Sequence, residues 1–269
     1  FPIKFGKVSD EYLLEKSTKV DSFYNAFIGT AGFSGSFIVA KNGKIISEKY
    51  QGFANQRTKE LITANTPLHL ASVSKVLTAT AILRLVESDN IMLDQKVTDW
   101  LPSFPYKSTT IRTLLNHRSG LQHYSRFPAL LKTGWNKKKI LTNQDVLDLM
   151  AKHKFRLLTP HDTRFDYCNT NYIILALIIE KATGLKYEKA MNELIFKPLG
   201  MKNTFVFDYF RDKDTVSLSY RKGGMNPWDQ FDNLNGDKNI YSTPRDLVKF
   251  DLATYSPDFI NPEILKEAY

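Results

Sequence analysis

A β-hairpin near the start of the chain, followed by a mostly helical sequence, is the feature that most restricts the fold. Two runs suited to β-strands, residues 36–40 and 44–48, flank Asn42-Gly43, a dipeptide typical of a two-residue type I′ turn. An isolated hairpin is only marginally stable in water, so its apolar face requires more sheet or a helix. We therefore expect an α+β fold in which a helical domain packs on an antiparallel sheet domain.

The sequence after residue 50 offers few partner strands for this hairpin. The run 204–207 is short, and the chain ends at Tyr269 within a predicted helix. We expect that the C-terminal strands of the sheet domain are missing from this chain. The predicted organisation has an N-terminal helix and hairpin over 1–70, a mainly helical domain over 71–235, and a helix returning to the sheet domain over 236–269, incomplete at its C-terminus.

Apolar periodicity and end signals predict helices along most of the chain. The first begins near Ser9, Thr142 precedes the helix 143–153, and Gly184 ends the helix that starts at residue 171. Pro244 occupies the first turn of a late helix, where proline is favoured. The other predicted helices cover residues 72–86, 111–115 and 187–196.

The composition supports a globular protein and argues against several kinds of partner. The chain has 269 residues, of which 42% are apolar, and a formal net charge of +9. Apart from residues 137–139 its lysines are dispersed, whereas a nucleic-acid interface is a clustered basic stripe, so we predict no nucleic-acid partner. No apolar run approaches the roughly 18 residues of a transmembrane helix. The five histidines lack metal-ligand spacing and no glycine-rich phosphate loop is present, so we predict no metal and no cofactor.

The first candidate catalytic motif is Ser72-Val73-Ser74-Lys75. A second Ser-x-x-Lys match, at 219–222, lies in a polar stretch, whereas the first opens an apolar helix. Residues i and i+3 share a helix face, so Lys75 can lie one turn behind the Ser72 hydroxyl. Burial would favour the neutral amine, which can accept the serine proton, and the helix N-terminus offers a backbone N–H to an oxyanion. The alternative is a helix-capping serine followed by a solvated lysine.

The second motif is Tyr167-Cys168-Asn169, and with it the sequence resembles a known superfamily. Serine β-lactamase-like and penicillin-binding proteins include class C β-lactamases, D-alanyl-D-alanine carboxypeptidases and related esterases. They carry Ser-x-x-Lys on a helix and then Tyr-x-Asn on a loop, a variant of the Ser-x-x-Lys and Ser-Asp-Asn set. Segments similar to the superfamily occur in the same order at 114–121, 165–184, 198–201 and 236–247. The resemblance covers roughly residues 30–269 and implies a β-lactamase/transpeptidase-like fold.

The resemblance implies a role for each motif residue. Ser72 would be the acylated nucleophile, and Lys75 would accept its proton. Tyr167 would pass protons to the leaving group and help activate the deacylating water, while Asn169 would hold the amide carbonyl of the substrate. The alternatives are that Tyr167 is a half-buried aromatic whose hydroxyl caps a backbone group, and that Asn169 is a helix N-cap. We expect His117 to hydrogen-bond a loop rather than to take part in chemistry.

The third motif of the superfamily, Lys-Thr-Gly or His-x-Gly on a core strand, is expected downstream of the helix near Asp246, and the sequence shows no such strand between there and Tyr269. In the superfamily that strand supplies the second oxyanion N–H and one wall of the substrate groove. Loss of one oxyanion donor costs on the order of 3 kcal/mol in other hydrolases, so we expect the 269-residue chain to be a poor catalyst. A bacterial protein in a periplasmic, secreted or lipid-anchored location is implied by the resemblance alone.

Three functional hypotheses follow from the sequence. The first is an acyl-enzyme hydrolase that acts on a β-lactam, a D-alanyl peptide or a small ester. The second is a non-catalytic cell-wall-binding or sensor domain that keeps the fold. The third is a basic surface-binding or nucleic-acid-binding module, which only the net charge favours. The presence of both motifs in order favours the hydrolase, with a small molecule or peptide as its partner.

Overall fold

The N-terminal part of the protein is a helix packed beside a hairpin. The computed structural model describes residues 5–30, 32–131, 135–221 and 224–268. Helix α1 (Asp10–Phe23) is capped by the Ser9 side chain and continues as a π-helical turn, Tyr24–Ile28. Strands β1 (Gly35–Lys41) and β2 (Lys44–Gln51) pair antiparallel. The predicted hairpin turn is confirmed, since Asn42 and Gly43 have φ of 50° and 76°.

The remaining strands are short. They are β3 (Phe53–Asn55), β4 (Glu60–Leu61), β5 (Leu68–His69), β6 (Phe205–Val206), β7 (Tyr220–Arg221), β8 (Gly224–Met225) and β9 (Ile240–Ser242). Strand β9 lies between β5 and β6 in a three-stranded antiparallel sheet, and β3–β4 and β7–β8 are separate pairs. Among the described residues β1 and β2 pair only with each other. That further strands complete their sheet, and that the chain divides at residues 70 and 235, stay predictions.

After residue 70 helices outweigh strands, as predicted. Helices lie at α2 (Ser74–Glu87), α3 (Val97–Trp100), α4 (Ile111–Leu115), α5 (Phe127–Leu131), α6 (Asn143–His153), α7 (Asn169–Thr183), α8 (Tyr187–Met191), α9 (Tyr209–Asp212), α10 (Pro244–Thr254) and α11 (Pro262–Lys266). A π-helical turn, Asn192–Phe196, extends α8. Thr142 caps α6 and Gly184 ends α7 in a left-handed conformation, which confirms both end signals. No helix in the described part of the chain is long and apolar enough to cross a membrane.

Helix α7 is the centre of the core and sets the position of both catalytic motifs. Residues 170–179 are all buried, and α2, α4, α6 and α8 pack around them. A helix that is apolar on all sides is stable only when other elements surround it. Helix α2 carries Lys75 and the N-terminus of α7 carries Asn169, so packing of α2 against α7 brings the two motifs together.

Candidate active site

Ser72 lies on a tight turn rather than within an α-helix. Residues Ala71–Val73 form a 3₁₀ turn and α2 begins at Ser74, two residues later than predicted. Ala71, the first residue of this turn, has a left-handed φ of 47°, so an α-helix cannot extend back through it. Strand β9 fixes this turn, since the Ile240 N–H donates to Ser74 Oγ at 3.1 Å and its carbonyl accepts from the Leu70 N–H at 2.9 Å. The turn leaves Ser72 exposed.

Lys75 is buried directly behind Ser72. Its Nζ donates to Ser72 Oγ at 3.1 Å and to the backbone carbonyl of Asp237 at 2.7 Å, and only 5% of the residue is exposed. The Nζ also lies 5.0 Å from the centre of the Tyr167 ring. The alternative of a capping serine with a solvated lysine is wrong, because Ser72 caps no helix and Lys75 is enclosed.

Tyr167 is the second side chain that bonds Ser72. Its hydroxyl donates to Ser72 Oγ at 2.8 Å, and 47% of the residue is exposed. The hydroxyl therefore bonds the candidate nucleophile rather than capping a backbone group. Ser72 Oγ thus bonds a buried amine and an accessible phenol, which is an arrangement for moving a proton to and from the oxygen.

The His117 ring packs against the Tyr167 ring. The two rings lie 4.5 Å apart, and His117 Nδ1 accepts a hydrogen bond from the Cys168 N–H at 3.1 Å, which confirms the expected loop contact. Burial, with a smaller effect of the Lys75 charge, lowers the pKa of His117 to about 4. The imidazole is therefore neutral near pH 7 and able to accept the Cys168 hydrogen bond. The sequence placed His117 in a family-like segment, but nothing in it indicated the ring contact with Tyr167.

Asn169 is the first residue of α7, and its predicted alternative role is wrong. Cys168 occupies the N-cap position of α7 and no side chain caps the helix. The Asn169 Oδ1 atom is buried and has no hydrogen-bond partner among the described residues. The amide is therefore not used by the local backbone, although Asn169 does not line the cavity at Ser72 described below.

Two buried residues beside Asn169 and Lys75 were missed by the sequence analysis. The Tyr124 hydroxyl donates to Asp237 Oδ2 at 2.8 Å, and Asp237 is fully buried. Burial raises the pKa of the Asp237 carboxyl, which the charges of Lys238 and Lys75 only partly oppose. Burial and Asp237 together raise the pKa of Tyr124, and the Asn169 side chain acts weakly in the opposite direction. Asp237 stood in a family-like segment, but no pattern linked it to Tyr124.

A cavity of about 580 Å³ opens onto Ser72, Lys75 and Tyr167. Its other walls are mostly apolar and come from α2, α10 and the C-terminal residues, including Val76, Leu83, Phe250 and Leu265. A concave, mainly apolar space with a few convergent polar groups is the usual form of a small-molecule site. No group of three potential metal ligands occurs in the described part of the chain, and Lys222 of the second Ser-x-x-Lys match lies outside it.

Comparison with known proteins identifies the family of the chain. The sequence model of the β-lactamase family matches residues 22–268. Penicillin-binding protein 4* of Bacillus subtilis is 33% identical over 253 residues, covering 88% of this chain and 55% of that protein. A D-aminopeptidase of Cereibacter sphaeroides is 28% identical over 235 residues, covering 86% of this chain and 44% of that protein. The crystal structure of a penicillin binding protein from Bacillus halodurans shares the fold, with a TM-score of 0.76 at 24% identity over 93% of this chain and 77% of that one.

The chain belongs to the β-lactamase family, because the family match covers nearly all of its length. The chain spans about half of the length of these two relatives (55% and 44%).

Proposed function

We propose that the protein is a serine hydrolase that forms an acyl-enzyme on Ser72. The observation that carries the proposal is the position of Ser72 Oγ, which lies 3.1 Å from Lys75 Nζ and 2.8 Å from the Tyr167 hydroxyl. Nothing in folding requires an exposed serine to bond a buried lysine and an exposed tyrosine. A nucleophile does require a positioned proton acceptor at this distance.

In the proposed reaction Ser72 Oγ attacks the carbonyl carbon of the substrate and loses its proton to Lys75 or Tyr167. The carbonyl oxygen becomes an oxyanion, for which the backbone N–H of Ser72 at the start of the helical turn is a candidate donor. Tyr167 then donates a proton to the leaving nitrogen or oxygen as the tetrahedral intermediate collapses. Water, deprotonated at the same site, hydrolyses the ester and returns Ser72 to its initial state.

Further strands are part of this proposal. No Lys-Thr-Gly or His-x-Gly occurs after residue 246 of this sequence, and the β1–β2 hairpin pairs with no other described strand. We propose that additional strands extend this sheet and supply the second oxyanion donor. Val73 of the 3₁₀ turn and Val76 of α2 line the cavity and are each about half exposed (50% and 53%), so this surface has room for a packing partner.

The proposed substrates are acyl compounds with an apolar side chain. The relatives include a penicillin-binding protein and a D-aminopeptidase, which favours a β-lactam, a D-alanyl peptide or a D-amino acid amide, with a small ester as the remaining candidate. The mostly apolar walls of the cavity suit an uncharged group next to the reacting carbonyl. A periplasmic, secreted or lipid-anchored location is proposed with them, on the family resemblance alone.

The test is turnover of three substrates that differ in the acyl bond. A chromogenic cephalosporin, D-alanine p-nitroanilide and p-nitrophenyl butyrate would be assayed with the 269-residue chain and with the protein isolated from its natural source. Ser72→Ala removes the candidate nucleophile. Ser219→Ala is the matched control, since Ser219 is an exposed serine of the second Ser-x-x-Lys match.

We expect turnover of at least one substrate, its loss in Ser72→Ala and its retention in Ser219→Ala. The substrate that is turned over fastest assigns the class. No turnover of any substrate by the natural protein would contradict the hydrolase proposal and favour the non-catalytic binding domain. Turnover by the natural protein together with little turnover by the 269-residue chain would support the proposed contribution of further strands.

A further inference from the structure

The candidate base is held by a backbone carbonyl whose own residue is buried and hydrogen-bonded. Lys75 Nζ donates to the Asp237 carbonyl at 2.7 Å, a shorter contact than its 3.1 Å bond to Ser72 Oγ. The direction in which Lys75 points therefore depends on where residue 237 holds this carbonyl. The position of residue 237 is in turn fixed by further hydrogen bonds.

Tyr124 fixes the Asp237 side chain. Its hydroxyl donates to Asp237 Oδ2 at 2.8 Å, and both residues are almost fully buried, with 4% and 0% exposed. Tyr124 is in turn fixed to α7, because its N–H donates to Thr170 Oγ1 at 2.8 Å. On the other side of Asp237, the Gly236 carbonyl accepts from Thr78 Oγ1 of α2 at 2.7 Å. The segment that holds Lys75 is thus bonded to both α2 and α7.

The Asp237 carboxyl lacks the partners that a buried carboxylate requires. Oδ2 has one donor, Oδ1 has no hydrogen-bond partner among the described residues, and none of the described lysines or arginines forms an ion pair with the group. A buried charge without a paired charge is expensive, and a carboxyl in that position normally takes up a proton. The titratable groups that influence the pKa of Asp237 are Lys238, Lys75 and Tyr124. The charge of Asp237 in turn affects the pKa of Tyr187, and that of Asp229 affects the pKa of Tyr124.

We propose that Tyr124 and a neutral Asp237 are a positioning pair for Lys75. The pair holds the Asp237 carbonyl where it directs the Lys75 amine onto Ser72. A neutral carboxyl does this without placing a negative charge beside Lys75, where it would stabilise the ammonium form and remove the proton acceptor. The inference rests on the proposed function, since positioning of Lys75 matters only if Lys75 assists Ser72.

The first test is the rate of covalent labelling of Ser72 by a fluorophosphonate, followed across pH. Tyr124→Phe removes the hydroxyl and Asp237→Ala removes the carboxyl, and both are expected to lower the rate about tenfold or more, because small misplacements of reacting groups are costly. Asp237→Asn has the shape of a protonated aspartic acid and is expected to keep the rate within about threefold. Tyr106→Phe is the matched control, because it removes a tyrosine hydroxyl bond (2.6 Å to the Phe155 carbonyl) away from the site.

The pH profile separates a neutral Asp237 from a charged one. If Asp237 is neutral, the midpoint of the acid limb is the same in the natural protein and in Asp237→Asn. If Asp237 is ionised, the substitution removes a charge beside Lys75 and moves the midpoint to lower pH by about one unit or more, which would overturn the proposal. Thermal unfolding of each variant shows whether a loss of rate reflects a loss of folding.

The second test does not depend on activity. The infrared difference spectrum between the natural protein and Asp237→Asn at neutral pH should contain the carbonyl band of a protonated carboxyl, and its absence would overturn the neutral pair. If the natural protein is not labelled at all, the proposed function fails and this inference fails with it. If it is labelled and Tyr124→Phe and Asp237→Ala label equally fast, only the inference is wrong.

Discussion

Acidification should destabilise the protein through His117, and the size of the effect follows from its surroundings. His117 is 8% exposed, accepts a hydrogen bond from the Cys168 N–H through Nδ1 and lies against the Tyr167 ring. Burial disfavours the charged imidazolium, and the Lys75 charge adds a smaller effect in the same direction. The native state therefore resists protonation, and the pKa of His117 falls from 6.5 to about 4.

The pH dependence of the free energy of unfolding follows from the difference in the pKa of His117 between the folded and unfolded states. Because the pKa is lower in the folded state, the unfolded state takes up a proton first as the pH falls. The stabilisation is fully present above pH 6.5, is lost progressively as the pH falls towards 4 and is gone below that value. At about 1.4 kcal/mol per pH unit, the loss between about pH 7.5 and about pH 4.5 amounts to roughly 2.5 kcal/mol.

The assay is urea unfolding of the natural protein and of His117→Asn at a series of pH values. Asparagine can accept the Cys168 hydrogen bond and tolerates the left-handed φ of 58° at this position, but it does not titrate. The difference in unfolding free energy between the two proteins cancels the other titrating groups. We expect this difference to fall by roughly 2.5 kcal/mol between about pH 7.5 and about pH 4.5. A difference that stays constant over this range would refute the argument from burial.

Three further predictions concern the site and its support. Tyr167→Phe keeps the ring against His117 and should lower kcat by about 10²–10⁴ with little change in stability, as measured by steady-state turnover and thermal unfolding. Lys75→Met should lower the Ser72 labelling rate at least as much, and a rate within threefold of the natural protein would exclude Lys75 as the proton acceptor. Gly236→Ala should cost about 3 kcal/mol or more in urea unfolding, because its Cβ would lie 2.2 Å from the Tyr172 carbonyl oxygen. Gly184→Ala is its control, since φ there is also positive (67°) but no atom lies within 4 Å, and it should cost only about 1 kcal/mol.

Local features of the fold were predictable because their causes are local. The Asn42-Gly43 turn, the Thr142 cap and the Gly184 stop each depend on a few neighbouring residues, and each was confirmed. The start of α2 was misplaced for a non-local reason. The Ala71–Val73 turn is held by β9, which is more than 160 residues further along the chain (Ile240 N–H to Ser74 Oγ, a separation of 166).

In the site, too, contacts between residues close in sequence were predictable and contacts between distant residues were not. Ser72 and Lys75 lie three residues apart, so helical spacing alone predicted their contact, whereas Tyr167 was placed beside them by resemblance and not by any physical pattern. Tyr124 and Asp237 could not be found from the sequence, since they are separated by 113 positions and meet only because each packs against α7 or α2. Pairing across such distances is a property of the assembled core rather than of either segment.

The most direct test of the account is the mass of the intact protein after reaction with a fluorophosphonate. We expect a single adduct on the natural protein, mapped to Ser72 by peptide sequencing, with no adduct on Ser72→Ala and an unchanged adduct on Ser219→Ala. An adduct that persists in Ser72→Ala, or that maps to another serine, would contradict the assignment of Ser72 as the nucleophile.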